Sequence, residues 1–222
     1  TAPKSIMMPV QRTTKGEAVR GRLIYVMGAS GSGKDSLIAE LRHLLRDEPF
    51  AFARRWITRP PAADRERHVP VSPERFEVLA GQGYFSLHWH CHGFRYGLPA
   101  AWDKVLERGT SLVVNGSREV FPEAAARYPD LLPVLVSVPR HILRERLLQR
   151  GRESGMMLER RLRRASMPVP GEERIREWIR IDNSGSLPDT AAFLAQALRT
   201  ALLRHASTDR ADIAPAPGGK DL

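Results

Sequence analysis

One cysteine, Cys91, in a chain of 222 residues excludes an intramolecular disulfide framework and leaves stability to an ordinary apolar core, as suits a reducing compartment such as the cytoplasm. No apolar run approaches the roughly 20 residues of a membrane span, so no membrane partner is expected. Lysine is scarce too: Lys4, Lys15, Lys34, Lys104 and Lys220 are five of 35 basic residues. Internal repeats are absent, and no convincing Ser-His-Asp set for acyl transfer stands out.

The cationic excess is therefore arginine, and it amounts to a net charge of +10. That balance favours polyanions such as nucleotides, sugar phosphates or nucleic acid, and arginine's planar fork suits bidentate contact with phosphate. The basic residues are spread along the chain rather than gathered into a recognisable nucleic-acid module, so nucleic acid is not expected as a partner. A 42% hydrophobic and 27% charged composition fits one globular domain with a full core.

The most specific stretch is Gly28-Ala29-Ser30-Gly31-Ser32-Gly33-Lys34-Asp35-Ser36, directly behind the apolar run Leu23–Met27. A buried strand that breaks into a glycine-rich turn and reopens as a helix wraps backbone N–H groups around a phosphate. The spacing fits a Walker A loop, in which Lys34 reaches the β- and γ-phosphates of ATP. The residue after the lysine, usually Ser or Thr on Mg²⁺, is Asp35. A carboxylate there either serves the metal, as a hard oxygen ligand, or simply favours the helix N-terminus through the dipole.

Along the chain, residues 36–45 have helical spacing, 50–58 read as one strand, and Ser72 followed by Pro73 opens a helix. Residues 84–94 are extended, 100–108 a short helix, 111–115 a strand and 118–127 a helix. Residues 131–138 form a strand, and Pro139 opens a helix to Gln149. A last strand near 178–181 precedes an amphipathic helix from Pro188 to about Arg204. Alternating strands and helices predict an α/β domain with a central parallel sheet. The expected organisation is a flexible tail over 1–20, a domain over 21–205 and a disordered tail over 206–222. The arginine-rich segment 150–165 is a candidate mobile lid over phosphates. Alternation along a strand puts His88, His90 and His92 on one face, which allows a zinc reading, though lining of a cleft or packing in a sheet is the preferred one.

Several motifs in order carry a resemblance: the Walker A loop, Thr58-Arg59-Pro60, Val71 to Phe76, Arg95-Tyr96-Gly97, Asn115-Gly116-Ser117, Arg146 to Ala165 and Asn183-Ser184-Gly185. Over roughly Gly21 to Arg204 the chain resembles the guanylate kinase superfamily of P-loop NTPases. Within it, Gly33 to Ser36, His88 to Pro99 and Val114 to Arg118 look most like the ribose 1,5-bisphosphate phosphokinases of phosphonate catabolism. The resemblance implies a guanylate kinase-like sheet flanked by helices, use of ATP and Mg²⁺, and a sugar phosphate acceptor converted to phosphoribosyl pyrophosphate. It further implies that Arg59 and Tyr96 hold acceptor phosphates with Thr58 nearby. Arg146, Arg150 and Arg161 close over the transferring group, and Asn183 lies near the adenine.

Departures from guanylate kinases narrow the acceptor. The segment that helps hold guanine and its phosphate is replaced by Pro61 to His68, with His68 at a tyrosine position. The strand leading to Asn115 carries Ser111 and Val113 where aspartates are usual. A pocket without groups to pair a purine edge selects GMP poorly. A phosphate acceptor is already ionised near neutral pH, so alignment and charge neutralisation suffice for transfer. A nucleoside monophosphate kinase and a non-catalytic phosphate-binding module remain the competing readings; the in-register Lys34 argues against the second.

Overall fold

The computed structural model describes residues 19–60, 68–91, 93–149 and 155–213, with side chains as far as residue 207. Five strands form a parallel sheet: β1 (Leu23–Gly28), β2 (Phe50–Phe52), β7 (Ser111–Asn115), β8 (Leu132–Ser137) and β9 (Ile179–Asp182). Their order is β2-β7-β1-β8-β9, which leaves β1 central and aims its C-terminal end, Gly28, into the loop that follows. Both faces of a parallel sheet are covered, hence the unbroken apolar run of β1. Ile24 and Val26 face one core with Leu37 and Leu41 of α1 (Lys34–Leu44) and Leu194 and Leu198 of α7 (Leu187–Ile213). Leu23, Tyr25 and Met27 face the other, with Phe121 and Ala124 of α4 (Phe121–Arg127).

A second sheet of four short strands stands over that second core. Its order is β4 (Val69–Pro70), β3 (Trp56–Ile57), β6 (Phe94–Pro99) and β5 (Phe85–Cys91), with β3-β6 and β6-β5 antiparallel. The parallel sheet expected from the sequence is present; the additional sheet is not foreseen by it. Its origin lies in residues 50–58, which read as one strand but divide into β2 and β3. Ala53 N still donates to Val113 O of the main sheet at 2.9 Å, whereas Arg55 O already accepts from Val69 N at 2.8 Å. The chain changes sheets within three residues.

Helix α2 (Pro73–Gly81) begins as its sequence indicates, the Ser72 hydroxyl accepting from Arg75 N at 3.2 Å. A 3₁₀ turn over Ala100–Trp102 leads into α3 (Asp103–Glu107). Two helices, α5 (Arg140–Gln149) and α6 (Met156–Ala165), share a small core of Leu143, Leu147, Leu158 and Leu162 that packs against Ala29 of the phosphate loop. Three boundaries differ from expectation. The helix placed over 118–127 starts at Phe121, because Pro122 has no N–H to donate and is tolerated only in a helix's first turn. Helix α7 runs past Arg204 to Ile213, since residues 205–213 include neither proline nor glycine to stop it. The expected disordered tail over 206–222 is thus helical in residues 206–213. The arginine-rich stretch is helical from Met156, and Arg150 lies outside the described residues, as do residues 61–67 and His92.

Candidate active site

A cleft of about 880 Å³ opens between the end of β1 and the small sheet, and the two sides of it are built differently. One side is the loop. Gly31 and Gly33 have φ of 95° and 85°, a left-handed conformation that side chains resist, and Gly33 directly precedes Lys34 at the first turn of α1. A Cβ on Gly28 would sit 2.4 Å from Val136 O, and one on Gly33 would sit 2.4 Å from Asn183 Nδ2. The loop backbone and the first turn of α1 line the cleft, and the positive end of the helix favours an anion there.

The loop is held from behind. Asn183, at the end of β9 and buried, donates from Nδ2 to Ser32 O at 2.8 Å. Arg146 of α5 donates from Nη2 to Asn183 O at 3.0 Å, and Arg161 of α6 donates from Nη1 to Ser30 Oγ at 3.0 Å. Ser32 is fully buried with its Oγ beneath Gly28, and this hydroxyl has no hydrogen-bond partner among the described residues.

Asp35 lies at the first turn of α1 and accepts from Asn115 Nδ2 at 2.6 Å, with Lys34 Nζ 3.7 Å away. Asn115 is buried at the end of β7, and its Oδ1 is a buried acceptor with no hydrogen-bond partner among the described residues. The Asp35 carboxylate, the Ser36 hydroxyl and the Asn115 amide oxygen are an all-oxygen donor set beside a phosphate loop. Such a set fits Mg²⁺.

The opposite side is made by the small sheet and the turn after β7. Tyr96 of β6 and Trp89 of β5 stack with ring centroids 5.5 Å apart and planes 8° from parallel. The Arg55 guanidinium lies 5.1 Å from the Tyr96 ring and 5.8 Å from Trp89, and Arg59 leaves the other end of β3. The turn itself is fixed by Tyr25, whose hydroxyl accepts from Ser117 N at 2.9 Å and donates to Ser117 O at 3.0 Å. Burial pushes the Tyr25 phenol up to about 12, moderated by the Ser117 N–H. Gly116 crosses this ring so closely that a Cβ would fall 2.2 Å from it.

Helix α6 joins the two sides. Arg118 donates to the last carbonyls around α6, those of Arg164 at 2.6 Å, Ala165 at 3.1 Å and Met167 at 3.3 Å. Arg164 pairs with Glu119. A cation at a helix C-terminus satisfies carbonyls that the helix cannot. Arg118 is half-buried, and desolvation lowers its basicity from the usual arginine value.

No protein-family model matches the chain. It is 50% identical to the "Ribose 1,5-bisphosphate phosphokinase PhnN" of Desulfomicrobium baculatum, over 78% of this chain and 92% of that protein. The chain belongs to the ribose 1,5-bisphosphate phosphokinase family. A second member, from Azotobacter vinelandii, is 46% identical over 81% of this chain and 96% of its own length. The crystal structure of guanylate kinase from Anaplasma phagocytophilum superposes with a TM-score of 0.59 at 18% identity, covering 82% of this chain and 86% of that one, which establishes a guanylate kinase-like fold.

Of the residues singled out in the sequence, the cleft gathers Gly28, Ala29, Ser30, Gly31, Gly33, Lys34, Asp35, Ser36, Arg59, Tyr96, Asn115, Arg146, Arg161 and Asn183. Three others do not line it. Ser32 is buried beneath the loop. Thr58 spends its hydroxyl on Arg95 N at 2.8 Å, joining β3 to β6. His68 is buried with Nε2 3.1 Å from Arg59 O, so it supports the backbone of Arg59 from behind. His88 and His90 are exposed, on the face of β5 opposite Leu87 and Trp89, and do not line the cleft. Residues that the sequence did not single out for the site include Arg55, Trp89, Arg118 and Glu119, whereas Arg164 falls within the candidate lid. Only alternation along residues 85–91 hinted that Trp89 points inward. Ser111 and Val113 are both buried in the sheet, with Ser111 Oγ accepting from Arg22 N at 3.2 Å. Neither reaches the cleft.

Proposed function

We propose that the chain transfers the γ-phosphoryl group of ATP to the 1-phosphate of ribose 1,5-bisphosphate, giving 5-phospho-α-D-ribose 1-diphosphate and ADP. The observation that carries this reading, beside family membership, is the charge of the cleft. Among the described residues that line it, Lys34 and six arginines (55, 59, 118, 146, 161 and 164) stand against two carboxylates, Asp35 and Glu119. Two anions crowded with phosphate need such a surplus, because each monoester carries about −1.5 to −2 near pH 7.

Lys34 and the loop amides hold the β- and γ-phosphates, and Arg146 and Arg161 neutralise charge on the group in transit, a task the resemblance also gives to Arg150. Asp35, with Ser36 and Asn115 beside it, would hold Mg²⁺, which would supply further neutralisation of phosphate charge. Arg59 and Tyr96 hold the acceptor on the opposite side. The attacking phosphate oxygen is ionised already, so no side chain has to remove a proton, and the protein contributes alignment and electrostatics. Helix α6, tied to Ser30 and to the turn at Arg118, acts as the lid that excludes water from the transfer. ATP and sugar phosphates place this activity in the cytoplasm.

The test is ADP release with ATP and Mg²⁺ in the presence of ribose 1,5-bisphosphate, GMP or no acceptor. Turnover is expected with the bisphosphate alone. Turnover with GMP alone overturns the reading in favour of a nucleoside monophosphate kinase.

A further inference from the structure

The acceptor has two phosphates, and only one of them reacts. The other must bind away from the loop, and it is what separates a bisphosphate from ribose 1-phosphate. Arg55 has the properties that such a binding site requires. It lines the cleft yet is only 7% exposed, the one buried cation among the described residues that line it. Its position is fixed twice. Its carbonyl accepts from Val69 N at 2.8 Å, and the next residue, Trp56, pairs with Gly97 of β6. Its guanidinium is set against the Trp89–Tyr96 stack, at 5.8 and 5.1 Å.

Arginine's planar fork is the geometry that phosphate accepts best, and stacking on aromatic faces is the other contact a guanidinium makes well. Arg55 and Arg59 flank β3, the first directly before it and the second two residues after it, and both line the same cleft. Arg55 also lies close enough to Tyr25 to act on its phenol electrostatically, which sets it against the floor formed by β1. The two flanks of one short strand thus offer two cations to a ligand with two phosphates.

Resting on the proposed reaction, we infer that Arg55 anchors the non-transferring 5-phosphate of the acceptor and is a specificity-determining residue. Arg59 and Tyr96 keep the 1-phosphate near the loop, while Arg55 fixes the far end. Removing the Arg55 charge weakens acceptor binding and leaves the nucleotide side intact.

Arg55→Met keeps an unbranched apolar stem against Trp89 and Tyr96, and Arg55→Lys keeps the charge without the fork. For each, the KM of ribose 1,5-bisphosphate, the KM of ATP, competitive inhibition by ribose 5-phosphate and the thermal midpoint are measured. In Arg55→Met the bisphosphate KM is expected to rise about 30-fold or more, with ribose 5-phosphate inhibition weakened in parallel and ATP KM within about twofold of the parent. Arg55→Lys is expected to recover part of both losses. An unchanged bisphosphate KM and ribose 5-phosphate inhibition in Arg55→Met overturns the inference. So does an ATP KM that rises in step with the acceptor's, which marks a merely structural pillar, or a parent enzyme that ribose 5-phosphate does not inhibit. If Arg55→Met fails to fold, Arg55→Lys decides: an unchanged thermal midpoint with weakened ribose 5-phosphate inhibition supports the anchor, and unweakened inhibition overturns it. Absence of parent turnover with ribose 1,5-bisphosphate overturns the kinase reading itself, whereas parent turnover with an indifferent Arg55→Met overturns only the anchor.

Discussion

On the loop side of the cleft, residues 28–31 and 33–36 form a nearly continuous strip shaped by glycines; on the opposite, proposed acceptor side Arg55, Trp89, Tyr96 and Ser117 arrive from separate segments. Phosphates of ATP are recognised by N–H groups whose positions follow from a local turn and the start of a helix. An acceptor is recognised by side chains, and those depend on which strands pair. The first side tolerates little change in its covalent outline. The second is free to change its ligand while the fold is kept.

The sharpest way to strain this contrast is Lys34→Ala. It is expected to lower kcat by about a thousandfold, a loss of about 4 kcal/mol in transition-state stabilisation, without changing the thermal midpoint. A variant that retains more than a tenth of the parent rate in a coupled ADP assay breaks the division of labour between the walls.

Gly116→Ala tests the acceptor side by sterics. Its new methyl meets the Tyr25 ring, which is fully buried and has no room to retreat. A destabilisation of about 1–3 kcal/mol is expected in urea unfolding, with a raised acceptor KM because the turn at Ser117 shifts. If stability falls and the acceptor KM does not rise, the turn is scaffold alone.

Asp35→Asn keeps shape and loses charge. A Mg²⁺ role predicts a raised metal requirement and roughly tenfold slower turnover, about 1.4 kcal/mol, with unchanged stability. Wild-type metal dependence in the variant, read from a Mg²⁺ titration, leaves Asp35 as a helix N-terminal residue and removes the metal from that side of the cleft.

The smallest effect expected near neutral pH is that of Tyr25→Phe, about 1 kcal/mol from the lost hydrogen bonds at Ser117. At alkaline pH the difference changes. The folded phenol titrates near 12, above its ordinary value of 10, so folding favours the neutral form. Its contribution is whole below pH 10 and is lost as pH rises from 10 through 12. Chemical denaturation across that window is expected to show a shallower decline in Tyr25→Phe than in the parent.

Much of this site was readable before any coordinates. The loop declared itself because its requirements are local: glycine where φ is positive, lysine at the first helical turn, an apolar strand behind. Ser72 before Pro73 marked the start of α2 for the same reason. Thr58 and His68 were recognised as near the acceptor but not as supports, because the partner of each hydroxyl or ring nitrogen lies on another strand or loop. Arg55 was indistinguishable from Arg54, its exposed neighbour, until β3 left the main sheet and turned one of the two toward Tyr96.

The sequence by itself determined a phosphate loop on a parallel α/β sheet and an arginine-rich complement for it, since these follow from short-range sterics, hydrophobic alternation and charge. Tertiary structure alone decided the acceptor wall. One residue's difference in register separates a cleft arginine from a solvated one, and the energy that fixes that point, burial of Trp89 and Tyr96 against Tyr25 and its core, comes from contacts that no local window contains.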